Sequence, residues 1–170
     1  RIFYTGPMFR YERPQKGRYR QFYQIGLEAL GGQGPMVDVE VIDLLHLLFV
    51  ELGIMDVRIL INSLGCPVCR PGYKEKLVNF FKSVADELCS NCMERIVSNP
   101  MRVLDCKVPS CREALKGSPV ILEYLCAECD DHFRRVTDGL SGLEVPYEVD
   151  PKIVRGLDYY NRTAFEAVCG

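Results

Sequence analysis

The sequence predicts an α+β protein: part of an antiparallel sheet flanked by helices, with a helical, cysteine-rich lobe inserted in it. Three observations carry this expectation. Both ends of the 170-residue chain are rich in β-branched and aromatic residues in rough alternation. The middle changes to helical periodicity. Eight of the nine cysteines fall between Cys66 and Arg135. The expected divisions are residues 1–65, an inserted lobe over 66–135, and a return to the first unit over 136–170. Residues 1–28 and 143–168 are expected to share one sheet, with the lobe packed apart from it.

The first element is a hairpin. Two apolar and aromatic runs flank Glu12-Arg13-Pro14-Gln15-Lys16-Gly17-Arg18, and Pro14 and Gly17 suit the turn between two antiparallel strands. Six cations (Arg1, Arg10, Arg13, Lys16, Arg18, Arg20) oppose Glu12 and Glu28, a local net charge of +4 in a chain of net −2. Gly31 to Pro35 connects to the next element; its spacing fits neither the dinucleotide nor the P-loop pattern. A helix follows over Val37 to Leu52, with apolar residues at 37, 41, 44, 45, 48 and 52. His46 lies in it among leucines and is expected to be packed or solvated. Asp56 to Asn62 reads as a buried strand.

In the lobe, Tyr73, Leu77, Phe80, Phe81, Val84 and Leu88 form a helical stripe. Pro100, Pro109 and Pro119 cut the following stretch into short pieces, and Pro119 to about Leu140 reads as another helix. Leu143 to Val149 is strand-like, and Tyr159 to Val168 is the last expected strand.

Composition excludes several classes. Hydrophobic residues make up 48% and charged residues 26%, a globular composition. The pI near 5.8 argues against a generally basic nucleic-acid binder, so any nucleic-acid phosphate would meet a local patch. No apolar run is long enough to cross a bilayer and no secretory signal opens the chain, so a cytoplasmic location is expected. The chain starts and stops inside strand-like runs and is expected to be a fragment.

Phe9-Arg10-Tyr11-Glu12-Arg13, the loop Lys16-Gly17-Arg18 and Arg20-Gln21-Phe22-Tyr23-Gln24 together resemble motif 2 of class II aminoacyl-tRNA synthetases, in the form found in histidyl-tRNA synthetases. Val154-Arg155-Gly156-Leu157-Asp158-Tyr159-Tyr160-Asn161-Arg162-Thr163 resembles the arginine-containing motif of the histidyl enzymes. The resemblance implies the class II antiparallel sheet. It also implies ATP-dependent activation of histidine to histidyl-adenylate and transfer to tRNA(His), with Mg2+ accompanying ATP. On the matching positions, Arg10 and Arg155 would be catalytic, holding the α-phosphate from opposite sides. Glu12 and Phe22 would meet adenine, and Arg18 the terminal phosphates. Gln24, Glu28, Arg155, Tyr159 and Tyr160 would line the histidine pocket. A homodimer is implied for the full-length protein. Motif 1, motif 3 and the anticodon-binding domain find no counterpart here, so little exchange activity is expected of this stretch alone. Such chemistry depends on alignment and charge stabilisation more than on a protein nucleophile. Two other readings compete: the non-catalytic regulatory subunit of ATP phosphoribosyltransferase, and a zinc-stabilised helical binding module. The first usually erodes the ATP and arginine motifs, which stand intact here; the second leaves both outer motifs unexplained.

The cysteines fall in close pairs: Cys66/Cys69, Cys89/Cys92, Cys106/Cys111 and Cys126/Cys129. Three are Cys-x-x-Cys, a spacing that lets two thiolates grip one zinc ion. In a reducing cytosol zinc is favoured over disulfides. Cys89/Cys92 with Cys106/Cys111 would make one structural site, and Cys66/Cys69 with Cys126/Cys129 another at the neck of the lobe. His132, three beyond Cys129, is a candidate substitute ligand.

Overall fold

The computed structural model describes residues 1–155 and 159–169. Strands β1 (Ile2–Phe9) and β2 (Gln21–Glu28) form the expected antiparallel hairpin, in register from Ile2 opposite Glu28 to Phe9 opposite Gln21. Gln15 and Arg18 exchange backbone hydrogen bonds of 3.1 and 2.8 Å at its tip. Gly17 has φ 76° there, a value that costs glycine nothing.

Helix α1 (Pro35–Glu51) leads to β3 (Val57–Ser63), the centre of a second sheet. The order is β4-β3-β5, with β4 (Glu148–Val149) parallel to β3 and β5 (Thr163–Cys169) antiparallel to it. The middle segment holds α2 (Arg70–Ser83), α3 (Ser90–Ser98), α4 (Pro109–Ala114) and several 3-10 turns. The proline breaks explain these short pieces. Helix α5 (Ala127–Gly142) returns to the sheet.

The sheet lies between two apolar layers. Ile59 and Ile61 of β3 pack with Val39 and Ile42 of α1 and Val136 and Leu140 of α5. On the opposite face Leu60, Leu64, Ile153 and Ala164 join a cluster that includes Tyr73, Leu77 and Phe81 of α2 and Val103. The alternation of β3 side chains thus serves both cores.

Several expectations are corrected. The two ends of the chain occupy separate sheets among the described residues. Strand β3 has both edges taken, by β4 and β5, so the hairpin has no β3 edge to join. The middle segment does not pack apart from the sheet, because its core runs into Leu64, Ile153 and Ala164. The helix expected from Pro119 begins at Ala127: a 3-10 turn covers Ile121–Tyr124, and Cys126 is extended. The strand expected over 143–149 shrinks to Glu148–Val149. There the end of α5 is still being closed, with the Val145 N–H bonded to the Leu140 carbonyl at 3.0 Å, and Pro146 has no N–H to pair. The last strand starts at Thr163 rather than Tyr159, because Arg162 turns to φ 56°. In α1 the buried positions are Pro35, Val39 and Ile42, whereas Leu44, Leu48 and Leu52 of the expected stripe are exposed.

Candidate functional site

One face of the hairpin carries most of the candidate residues. Alternation puts Tyr4, Met8, Phe22, Gln24 and Glu28 on the same side, and Arg10 follows β1 in the same phase. The Arg10 backbone N–H is bonded to the Arg20 carbonyl at 2.8 Å, which extends the ladder into the loop. Its guanidinium carbon stands 3.8 Å from the Phe22 ring centre. Gln24 donates through Nε2 to the Tyr4 hydroxyl at 3.2 Å. The Tyr4 ring lies over Gly26, where a Cβ would come within 2.1 Å of it. Glu28 is exposed at the far end of β2. Glu12 and Arg18 pair with each other at 2.7 Å, both side chains more than half exposed. A pair of this kind contributes about 0–1 kcal/mol, so a nucleotide could separate it at little cost.

The second group lies beyond β4. Arg155 donates through Nη2 to the Phe165 carbonyl at 3.0 Å and its guanidinium carbon is 5.8 Å from the Tyr160 ring centre. Tyr159 and Tyr160 stack at 4.5 Å. A side-chain hydrogen bond with Tyr160 raises the Tyr159 pKa. Arg155 lines a cleft of about 640 Å³ between the sheet and the middle segment. Gly156, Leu157 and Asp158 of the second motif lie outside the described residues. Among the described residues no hydrogen bond, ion pair or ring contact joins the Arg10 group to the Arg155 group.

The cysteines gather into two groups of four, Cys66/Cys69/Cys126/Cys129 and Cys89/Cys92/Cys106/Cys111, each with its sulfurs within 4.8 Å of one another. Individual Sγ separations are 3.7 Å for Cys66–Cys69, 3.8 Å for Cys66–Cys126 and 3.9 Å for Cys89–Cys106. These are far longer than a disulfide, about 2.05 Å. Four sulfurs at about 2.3 Å from a tetrahedral Zn2+ would be about 3.8 Å apart. The donor set and spacing therefore suit that ion.

Cys69, Cys89 and Cys126 stand at the N-caps of α2, α3 and α5. The backbone N–H groups of Cys69 and Val68 draw the Cys66 thiol down to about 6, and that of Cys92 draws Cys89 down to about 7. Burial pushes Cys92, Cys111 and Cys129 up instead. A divalent cation would offset that rise, since it makes the charged form of every ligand favourable. His132 is not among the clustered ligands. Its Nε2 pairs with Asp38 Oδ2 at 2.8 Å, so the four sulfurs already complete the set.

Residues 1–66 match the family model described as Histidyl-tRNA synthetase. A histidine–tRNA ligase of Desulfatibacillum aliphaticivorans is 57% identical over 165 residues, covering 96% of this chain and 39% of the relative. The chain belongs to the histidyl-tRNA synthetase family. A histidine–tRNA ligase of Trichlorobacter lovleyi is 52% identical across 100% of the chain and 41% of its own length. The crystal structure of apo S. aureus histidyl-tRNA synthetase matches with a TM-score of 0.71 at 38% identity, over 97% of this chain and 37% of that one. The chain thus spans about two fifths of the length of the relatives it matches. Its α+β architecture is that of a histidyl-tRNA synthetase, a class II fold.

Two residues that support the candidate site were not singled out from sequence. Asn62 is fully buried and donates to the carbonyls of Pro151 (3.2 Å) and Ile153 (3.0 Å), four and two residues before Arg155. An asparagine ending an otherwise apolar strand run was the available signal, since buried amides are nearly always bonded. Arg162 joins β3's exit to the second motif by paired backbone bonds with Leu64 and Gly65. A positive φ at arginine leaves no mark in sequence.

Proposed function

We propose that the protein carrying this chain activates histidine with ATP and transfers it to tRNA(His). The arrangement of Arg10, Phe22, Gln24 and Glu28 on one face of a hydrogen-bonded hairpin carries this reading. Arg10, which rests against Phe22, would neutralise the α-phosphate. Glu12 and Phe22 would hold adenine, with Arg18 released from Glu12 onto the terminal phosphates. Gln24, Glu28, Tyr159 and Tyr160 would bind histidine. Arg155 would meet the growing negative charge on the phosphorus oxygens from the other side. Fixed cations of this kind act mainly where charge develops.

The same reading divides the chain into 1–65, 66–135 and 136–170. It places Mg2+ with ATP, a homodimer as the working form and the cytoplasm as its location. No helix among the described residues is long and apolar enough to cross a membrane. It also assigns structural Zn2+ to the two four-sulfur groups, as closed sites without an open coordination position.

The test is histidine-dependent ATP–pyrophosphate exchange by the full-length protein, with the other amino acids as controls. Exchange stimulated by histidine alone supports the assignment. Binding of histidine without exchange would instead favour a regulatory, non-catalytic role.

A further inference from the structure

The two sulfur groups hold different parts of the fold. Cys89, Cys92, Cys106 and Cys111 all belong to the middle segment. Cys66, Cys69, Cys126 and Cys129 sit where the chain leaves β3 and where it enters α5. Gly65, at φ 63°, passes so close to this second group that a Cβ there would be 2.7 Å from Cys69 Sγ. The same Gly65 accepts the Arg162 backbone N–H at 2.8 Å, and the Leu64 N–H donates back to the Arg162 carbonyl at 2.6 Å. Arg70, next to Cys69, donates to Asn161 Oδ1 at 2.5 Å. From the other pair, His132 lies three residues beyond Cys129, with Nδ1 3.3 Å from Arg162 Nη1. Cys66, His132, Asn161 and Arg162 line one cavity of about 410 Å³. Both halves of the sulfur group are therefore tied to residues 161 and 162. Arg162 keeps φ 56°, which a non-glycine residue holds only where its surroundings dictate it.

We propose that Zn2+ held by Cys66, Cys69, Cys126 and Cys129 positions residues 159–163 and thereby sets histidine affinity, whereas the other group only holds the middle segment together. This rests on the zinc and histidine-pocket assignments above. Zinc joins the two chain segments of the neck, so Gly65, Arg70 and His132 keep the spacing at which all three reach residues 161 and 162. Without it the neck can widen, and the Tyr159–Tyr160 pair loses its anchor on the C-terminal side. These contacts act as an outer support for a ligand site.

The experiment uses the full-length protein and three variants: Cys69→Ser/Cys129→Ser, Cys92→Ser/Cys111→Ser, and Asn161→Ala. Zinc per chain is measured by elemental analysis, histidine affinity by calorimetry, and the backbone of residues 159–163 by amide exchange. The unaltered protein should hold two zinc ions, and each cysteine variant one. The first variant should bind histidine at least about ten-fold more weakly, as loss of an outer support commonly does. Exchange at 159–163 should speed up with it. The second variant should shift histidine affinity far less. Asn161→Ala should keep both zinc ions and still weaken histidine. A Cys69/Cys129 variant with one zinc and unchanged histidine affinity overturns the inference and leaves the zinc assignment standing. Where that variant does not fold, Asn161→Ala with two zinc ions and unchanged affinity overturns it equally. A protein with no zinc overturns both.

Discussion

The Arg10 guanidinium carbon lies 3.8 Å from the centre of the Phe22 ring, so the proposed phosphate ligand and the proposed adenine platform share one surface. Both residues are half-buried, and a contact of this kind contributes about 0.5–2 kcal/mol. A base stacked on Phe22 must use the ring's other face or displace Arg10 toward the phosphates. Phe22→Leu should therefore raise the KM for ATP by roughly 5- to 150-fold, the equivalent of about 1–3 kcal/mol of stacking. Pyrophosphate exchange at varied ATP measures it. An unchanged KM would remove Phe22 from the adenine site.

Arg155 is held by the Phe165 carbonyl at 3.0 Å, and among the described residues no acid pairs with it. Its charge stays available for a phosphate. Arg155→Ala should lower kcat for exchange by about 10²–10³-fold, the loss typical of one removed donor, and weaken histidine binding far less. Equal losses in both would assign it to substrate binding alone.

Gly139 of α5 faces Val39 of α1, and a Cβ there would be 2.8 Å from Val39 Cγ2. Alanine gains up to about 1 kcal/mol in helix propensity. Overpacking against a buried, β-branched neighbour costs about 1–3 kcal/mol and should win. Gly139→Ala should thus destabilise in urea unfolding, and Val39→Ala should recover part of the loss when combined with it. A simple sum of the two single effects would show that the contact does not decide.

Asn62→Ala strips the carbonyls of Pro151 and Ile153 of their buried donor. Each unsatisfied group costs about 1–3 kcal/mol. Stability should fall by at least that much, and exchange activity should fall with it because the segment leading to Arg155 loosens. Full stability in denaturant melts would show that water replaces the amide.

The parts legible in sequence are those fixed by local spacing. The hairpin follows from alternating aromatic runs around Lys16-Gly17, and the sulfur groups follow from three Cys-x-x-Cys pairs. Packing was less accessible. Helix α1 is apolar almost all round, so periodicity could not tell the buried Val39 and Ile42 from the exposed Leu44 and Leu48. Pairing between distant strands also leaves no local trace. Ile61 pairs Phe165 across more than a hundred residues, while the hairpin, equally β-rich, joins no part of that sheet. At the candidate site, residue types were visible in the two motifs. The Glu12–Arg18 pair and the Arg162 turn were not, because each depends on side chains or backbone brought together by folding.

The thiols of Cys66 and Cys126 stand 3.8 Å apart although 60 residues separate them in sequence. The segment between them leaves and returns at nearly one point. It behaves as a cassette with a shared plug, whose outer turns can lengthen or shorten without stretching the sheet that hosts it, so long as the core it shares with Leu64, Ile153 and Ala164 is kept.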